Sequence, residues 1–429
     1  MVAIPFIYFL TLLLHHLRKS KWRIDIASFI LALFAFSAFF SILIDVFELR
    51  SLDTQSYKIS FTATFVYCGL ITLCTMPFMT YSNLKITRIE PIRNSGILIF
   101  FAIIVFLYFF INFYFSFDNI VRIVTAEDMV DIRAAHYRGF DEETWMSKLP
   151  FEVRLPFIPL NLISGCSWLF IFLAFYCSVI QKMPSTYSIM FFVSSINGII
   201  DNINTGGRSA MIFWLIGAIA GFLFFLPYMN KKYKRRFIGL FTIIASLFAF
   251  YFVAMTISRF SDRDAGDVSG TNGSLISYMG QSFINFCYFF DTFDCPLPTL
   301  QILFPFTYKL IGYPIQGSVA VQQLLSEMSG KELGVFYTFI GQIITTTNNF
   351  VGILYCVILF VISLAVTRKV KHGVAKLRQA YFYMLCASVL FMGLFGHYYA
   401  SATKSFSIIF WLILFYIVKS RKTGQNANK

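Results

Sequence analysis

Charge is scarce in this chain. Asp, Glu, Lys and Arg together make up 13% of the 429 positions, about half the share of an ordinary soluble domain. So few charges cannot cover a water-facing surface of this size, which excludes a soluble globular enzyme. Walker-type glycine loops, dinucleotide fingerprints, zinc-ligand spacings and internal repeats are missing from the sequence, so none of the motif-borne nucleotide or metal chemistries is indicated. No basic residue precedes the apolar run of Met1 to Leu14. The sequence therefore predicts no cleavable signal, and His15 to Arg23 after that run predict an outside N-terminus.

What is abundant is grease. Hydrophobic residues reach 58%, with 54 Phe, 23 Tyr and five Trp, the composition of lipid-facing helices and interfacial belts. The formal charge of +14 does not point to nucleic acid, because of where it sits. Most basic residues fall in short clusters at Arg18 to Arg23, Lys85 to Arg93, Lys182, Lys231 to Arg236, Arg368 to Arg378 and Lys419 to Lys429, with Glu90 the one acid among them. Most acids fall instead in two long polar segments, 117–156 and 259–336. One-sided basic loops report orientation in a membrane.

The fold class expected is all-α: one polytopic transmembrane bundle over 1–429. About eleven spans are predicted, at 2–15, 24–45, 61–80, 97–116, 157–180, 187–201, 208–228, 237–258, 346–366, 379–400 and 405–418, with the C-terminus inside. Under this scheme every basic cluster lands on one face. The outer loops are then 117–156 and a larger 259–345. In the first, Ile120, Val121, Val124 and Met129 predict a short interfacial helix. In the second, Leu275 to Cys295 reads as a helix lying in or dipping into the interface and not as a span, stopped by Pro296 and Pro298. Cys287 and Cys295 could pair outside the cell, or remain two interfacial thiols.

Between two apolar stretches stands Asp201-Asn202-Ile203-Asn204-Thr205-Gly206-Gly207-Arg208-Ser209. A guanidinium opening a transmembrane helix after two glycines makes an anion site, with Thr205 as N-cap and the helix N-terminus adding partial positive charge. The competing reading is a glycine hairpin with Arg208 snorkelling to the interface or pairing with Asp201. Arg259 and Arg263 follow the eighth span among Asp262, Asp264 and Asp267, and could be anion ligands or a self-neutralising cluster. His397, in Gly396-His397-Tyr398-Tyr399, could serve as a general base or as a packed histidine. Lys404 faces the same boundary and could contact phosphate. Arg133, His136 and Arg138 could line an anionic approach path or a solvated helix face. Asp291 and Glu327 are further carboxylates able to act as a base. Spans nearly free of charge argue against an ion relay through the midplane.

The last half of the chain resembles the Wzy-type oligosaccharide repeat-unit polymerases. The likeness rests on Thr205-Gly206-Gly207-Arg208-Ser209 opening a span and on Ser277-Tyr278-Met279-Gly280 leading to Asp291. It continues with Tyr337-Thr338-Phe339-Ile340-Gly341, Asn349-Phe350-Val351-Gly352 and Tyr398-Tyr399-Ala400-Ser401. Thr345 to Phe350 departs from the acidic-Phe-Gly pattern of such proteins, with no acid at that point of the pattern. The resemblance implies a GT-C-like glycosyltransferase of the bacterial inner membrane. Such an enzyme joins undecaprenyl-diphosphate-linked repeat units on the periplasmic face during O-antigen or capsule synthesis, without metal or cofactor. Its expected partners are the lipid-linked donor and acceptor, membrane lipids and a chain-length regulator protein, and no nucleic acid. In that reading Arg208, Arg259 and His397 are catalytic, with Arg208 as diphosphate clamp. Arg263, Lys404, Tyr278, Asp291, Arg138 and Tyr398 hold substrate. The alternatives are an O-antigen ligase using the same lipid donor and a flippase of lipid-linked oligosaccharide.

Overall fold

The computed structural model describes residues 1–125, 149–204, 209–260, 271–313, 318–369 and 373–419. It is almost wholly helical: Ala3–Lys19 (α1), Ile26–Val46 (α2), Phe61–Thr80 (α3), Gly96–Thr125 (α4), Phe157–Ser164 (α5), Ser167–Phe175 (α6), Ser185–Ser194 (α7), Asn197–Asn204 (α8), Ser209–Phe225 (α9), Lys231–Phe260 (α10), Thr271–Thr292 (α11), Ser318–Ser329 (α12), Phe339–Thr346 (α13), Asn349–Lys369 (α14), Leu377–Phe391 (α15) and Ala402–Ile417 (α16). Two short strands, Arg88–Glu90 (β1) and Val374–Lys376 (β2), pair with each other. Among the described residues, five helices are long and apolar enough to cross a membrane, and the pair α5 and α6, bent by 72°, makes six. The protein is a helical, multi-pass membrane protein. The other expected spans appear as helices that are short, interrupted or, for α10, headed by the basic cluster of Lys231 to Arg236.

The chain divides into two compact units. The first takes in Met1–Thr87, Arg263–Val374 and Gln379–Ala402. Its centre is the packing of α11 on α2, made possible by small residues. Ser37 Oγ donates to the Met279 carbonyl (2.9 Å) and Ser41 Oγ to the Gly280 carbonyl (2.5 Å). A Cβ on Gly280 would collide with the Phe40 carbonyl carbon, so only glycine permits this approach. The expected helix over Leu275 to Cys295 is present as α11, and Phe283, Ile284, Phe286, Cys287 and Phe289 are buried. Cys287 and Cys295 are free, buried thiols. At the far end of α2, Asp25 caps the helix by accepting from the Ser28 backbone N–H (2.8 Å). Beyond α15, residues 392–401 leave the helix yet stay almost wholly buried. Irregular backbone survives at such depth only where protein covers it.

The second unit takes in Arg88–Asp262, Ala375–Arg378 and Thr403–Lys429. Here α4 packs along α7 and α8, and α6 along α7 and α9. The expected short interfacial helix after 116 is not separate, because α4 runs unbroken to Thr125. No glycine or proline interrupts that stretch, so helix propagation continues. Met129 lies outside the described residues. The expected span 157–180 is broken between Ser164 and Ser167, where a Cβ on Gly165 would come within 2.7 Å of the Thr403 carbonyl oxygen. The carbonyl that the break releases, that of Ile163, accepts from Ser407 Oγ (2.9 Å) and Trp411 Nε1 (3.1 Å) of α16. A second break separates α7 from α8 within the expected span 187–201, and there Trp214 Nε1 donates to Ser195 Oγ (2.7 Å). The first interruption is therefore satisfied by side chains of a neighbouring helix, and at the second Ser195 Oγ donates to the Phe192 carbonyl (2.5 Å) while accepting from Trp214.

Candidate functional site

In the second unit, polar groups gather around the N-terminal turns of α9, the helix that Arg208 precedes. Asn202 Oδ1, from the end of α8, accepts from the Ala210 backbone N–H at 3.1 Å and so caps one of the first amides of α9. Lys404 comes from the start of α16. The α5–α6 break fixes that helix end, through Gly165 against Thr403 and through Cys166 Sγ donating to the Lys404 carbonyl (3.5 Å). Its ammonium lies 6.0 Å from the Phe213 ring centroid, in the second turn of α9, within cation–π range. On the other side of α8, Asn112 of α4 donates from Nδ2 to Asp201 Oδ1 (3.0 Å) and to Asn197 Oδ1 (3.3 Å). Asn112 and Asn197 are buried. Asn202 and Lys404 thus stand at the first turns of α9, and Asn112, Asn197 and Asp201 form a polar cluster between α4 and α8.

His397 belongs to the first unit and to a different kind of environment. Its backbone N–H donates to Gln342 Oε1 at 2.5 Å. Its Nδ1 accepts from the Tyr399 N–H at 3.2 Å, which leaves the proton on Nε2 to be donated to the Tyr355 hydroxyl at 3.3 Å. The Tyr399 hydroxyl is itself bonded to Ser388 Oγ. Both ring nitrogens are engaged inside the protein, and the residue is 8% exposed. Tyr398 is buried beside it, edge-on to Tyr399. Tyr278 packs with Phe336 and Phe395 in a three-ring cluster, with centroids 4.4 to 6.0 Å apart.

Asp291, at the end of α11, accepts from the Tyr57 hydroxyl at 2.5 Å, and the Cys287 carbonyl lies 3.0 Å from the same hydroxyl. Burial, reinforced by that hydrogen bond, pushes the Tyr57 phenol well above its usual range. Glu327 lies on α12 in the same unit. Arg133, His136, Arg138, Arg208 and Arg263 lie outside the described residues. So does the side chain of Arg259, whose backbone is in α10. Among the described residues no cluster of His, Cys, Asp and Glu could hold a metal ion.

Of the residues singled out in the sequence, the structure brings Lys404 to the start of α9 and sets His397 among tyrosines. It adds Asn112, Asn197 and Asn202, and gives Asp201 a place beyond that of a partner for Arg208. One signal for these was available: α8 carries Asn197 and Asp201 four residues apart on one face, and Asn112 is a lone amide in an apolar span. The chain matches no family model, no curated protein and no solved structure.

Proposed function

We propose that this protein polymerises lipid-diphosphate-linked oligosaccharide repeat units at the outer face of a bacterial inner membrane, in O-antigen or capsule synthesis. The observation that carries the reading is the position of Lys404 over Phe213, in the second turn of α9. That is the helix entered through Thr205-Gly206-Gly207-Arg208. A cation from α16 beside the first turns of a helix that Arg208 precedes in sequence is the chemistry expected of a diphosphate site. In glycosyl transfer from such a donor the leaving group is the lipid diphosphate, and charge grows on it as the anomeric bond breaks. Fixed cations at that point lower the barrier directly.

Deletion of the gene tests the reading. A polymerase mutant leaves lipid A-core carrying a single repeat on a surface-polysaccharide gel. A ligase or flippase mutant leaves bare core, which would overturn it. Arg208→Ala is expected to reproduce the deletion while the protein still inserts at wild-type level. Full-length polysaccharide from that variant would remove Arg208 as the clamp.

A further inference from the structure

The group that would take the proton in such a transfer is not settled by His397, whose ring nitrogens are both occupied by Tyr399 and Tyr355. Nor is it settled by Asp291, which holds the Tyr57 hydroxyl. In the second unit, hydrogen-bond inventory defines a different site. Asn112 Nδ2 has two protons, and both are used, one on Asp201 Oδ1 and one on Asn197 Oδ1. A carboxylate can only accept, so this bond fixes which way the Asn112 amide points. Asn197 must then present its oxygen to Asn112, and its Nδ2 is left buried without a partner, although the residue is 2% exposed. An orphaned amide donor in an apolar bundle is costly, and it points to a ligand. Asp201, four residues on and on the same face of α8, is exposed, with one carboxylate oxygen committed to Asn112.

Among the described residues only one Asp201 oxygen is engaged, and a carboxylate acceptor beside an unused donor is the complement of an alcohol. We propose that Asp201 is the general base of the polymerisation and that Asn197 orients the acceptor. The attacking sugar hydroxyl donates to the second Asp201 oxygen while its own oxygen accepts from Asn197 Nδ2. As that oxygen bonds to the anomeric carbon of the donor, the bond from this carbon to the diphosphate breaks. The lipid diphosphate leaves with the electron pair, and the hydroxyl proton passes to Asp201 and from there to water. Asn112 holds the carboxylate in place. This inference rests on the polymerase reading.

The test uses the full-length protein in proteoliposomes, supplied with lipid-diphosphate-linked repeat units isolated from the deletion strain, with chain extension read on a gel. Asp201→Asn keeps the shape and the bond to Asn112 but cannot take a proton. Its kcat is expected to fall about 100-fold, with KM within about threefold of wild type, and Asp201→Glu is expected to recover part of the loss. Asn197→Ala is expected to raise KM for the acceptor. Asp201→Ser replaces Asp201→Asn if a carboxy-terminal tag shows that the latter does not accumulate. Wild-type extension alongside an Asp201→Asn rate within threefold of it would overturn the inference alone. Wild-type protein that extends nothing would remove the polymerase reading, and this inference with it.

Discussion

At the scale of single residues, Asp25 shows how a buried charge can organise a helix end. It is fully buried, and its two oxygens both lie 3.0 Å from His16 Nε2, which is itself 4% exposed. Ser82 Oγ donates to Oδ2, while Asn83 Oδ1 accepts the neighbouring Ile26 N–H at 3.1 Å. One carboxylate therefore ties the end of α1 and the segment after α3 to the start of α2. Burial works to raise its pKa, but the hydrogen bond and charge of His16, with Ser82 and Ser28, outweigh it and hold the carboxyl below its ordinary 3.8. A group whose pKa is depressed on folding stabilises the fold above its unfolded value, and that contribution fades as pH falls through the folded one. Asp25→Asn is therefore expected to cost about 2 kcal/mol at neutral pH. The gap between variant and wild type should close as pH drops below 3.8. Thermal unfolding of both proteins in detergent across that range checks this, and a gap that stays constant with pH would show that Asp25 acts only as a neutral cap.

At the scale of elements, close helix contact and repaired helix breaks do the organising. The first is most exposed at Gly280, where α11 meets the backbone of α2 at Phe40. A methyl group there collides with a carbonyl carbon and the following backbone nitrogen, which cannot swing aside as a side chain could. Gly280→Ala should force the helices apart, weaken the Ser37 and Ser41 hydrogen bonds that depend on the same spacing, and cost about 1–3 kcal/mol. The measurement is the unfolding temperature in detergent. Gly239→Ala on α10, where a Cβ meets no atom within 4 Å, serves as control and is expected to leave it unchanged or higher. Equal behaviour of the two variants would mean that the α2–α11 contact yields without cost. The same logic explains the α5–α6 break: Gly165 gives way to Thr403, and Ser407 and Trp411 take up the Ile163 carbonyl.

At the scale of the whole molecule, the helical membrane character was legible because it is a sum over many residues: scarce charge, long apolar runs and basic clusters. The interruptions were not legible. Apolar stretches flank Ser164 to Ser167, Ser194 to Asn197 and 392–401, and the groups that take up the first break lie far away in sequence, as Trp411 does from Ile163. The candidate site divides in the same way. Thr205 to Arg208 stands out as a polar break, whereas Asp201 and Asn112 are 89 positions apart and meet only in the fold. Orientation is the property on which the proposed chemistry most depends, because a diphosphate clamp at the start of α9 requires that helix to begin outside. The basic clusters Lys231 to Arg236 and Arg368 to Arg378 argue for it. Alkaline phosphatase fused after Thr205 or Asp267 is expected to be active, and the same reporter fused after Tyr233 or Lys371 is expected to be silent. The reverse pattern would place Arg208 and Asp201 on the inner face, where a polymerase of exported repeat units has no substrate.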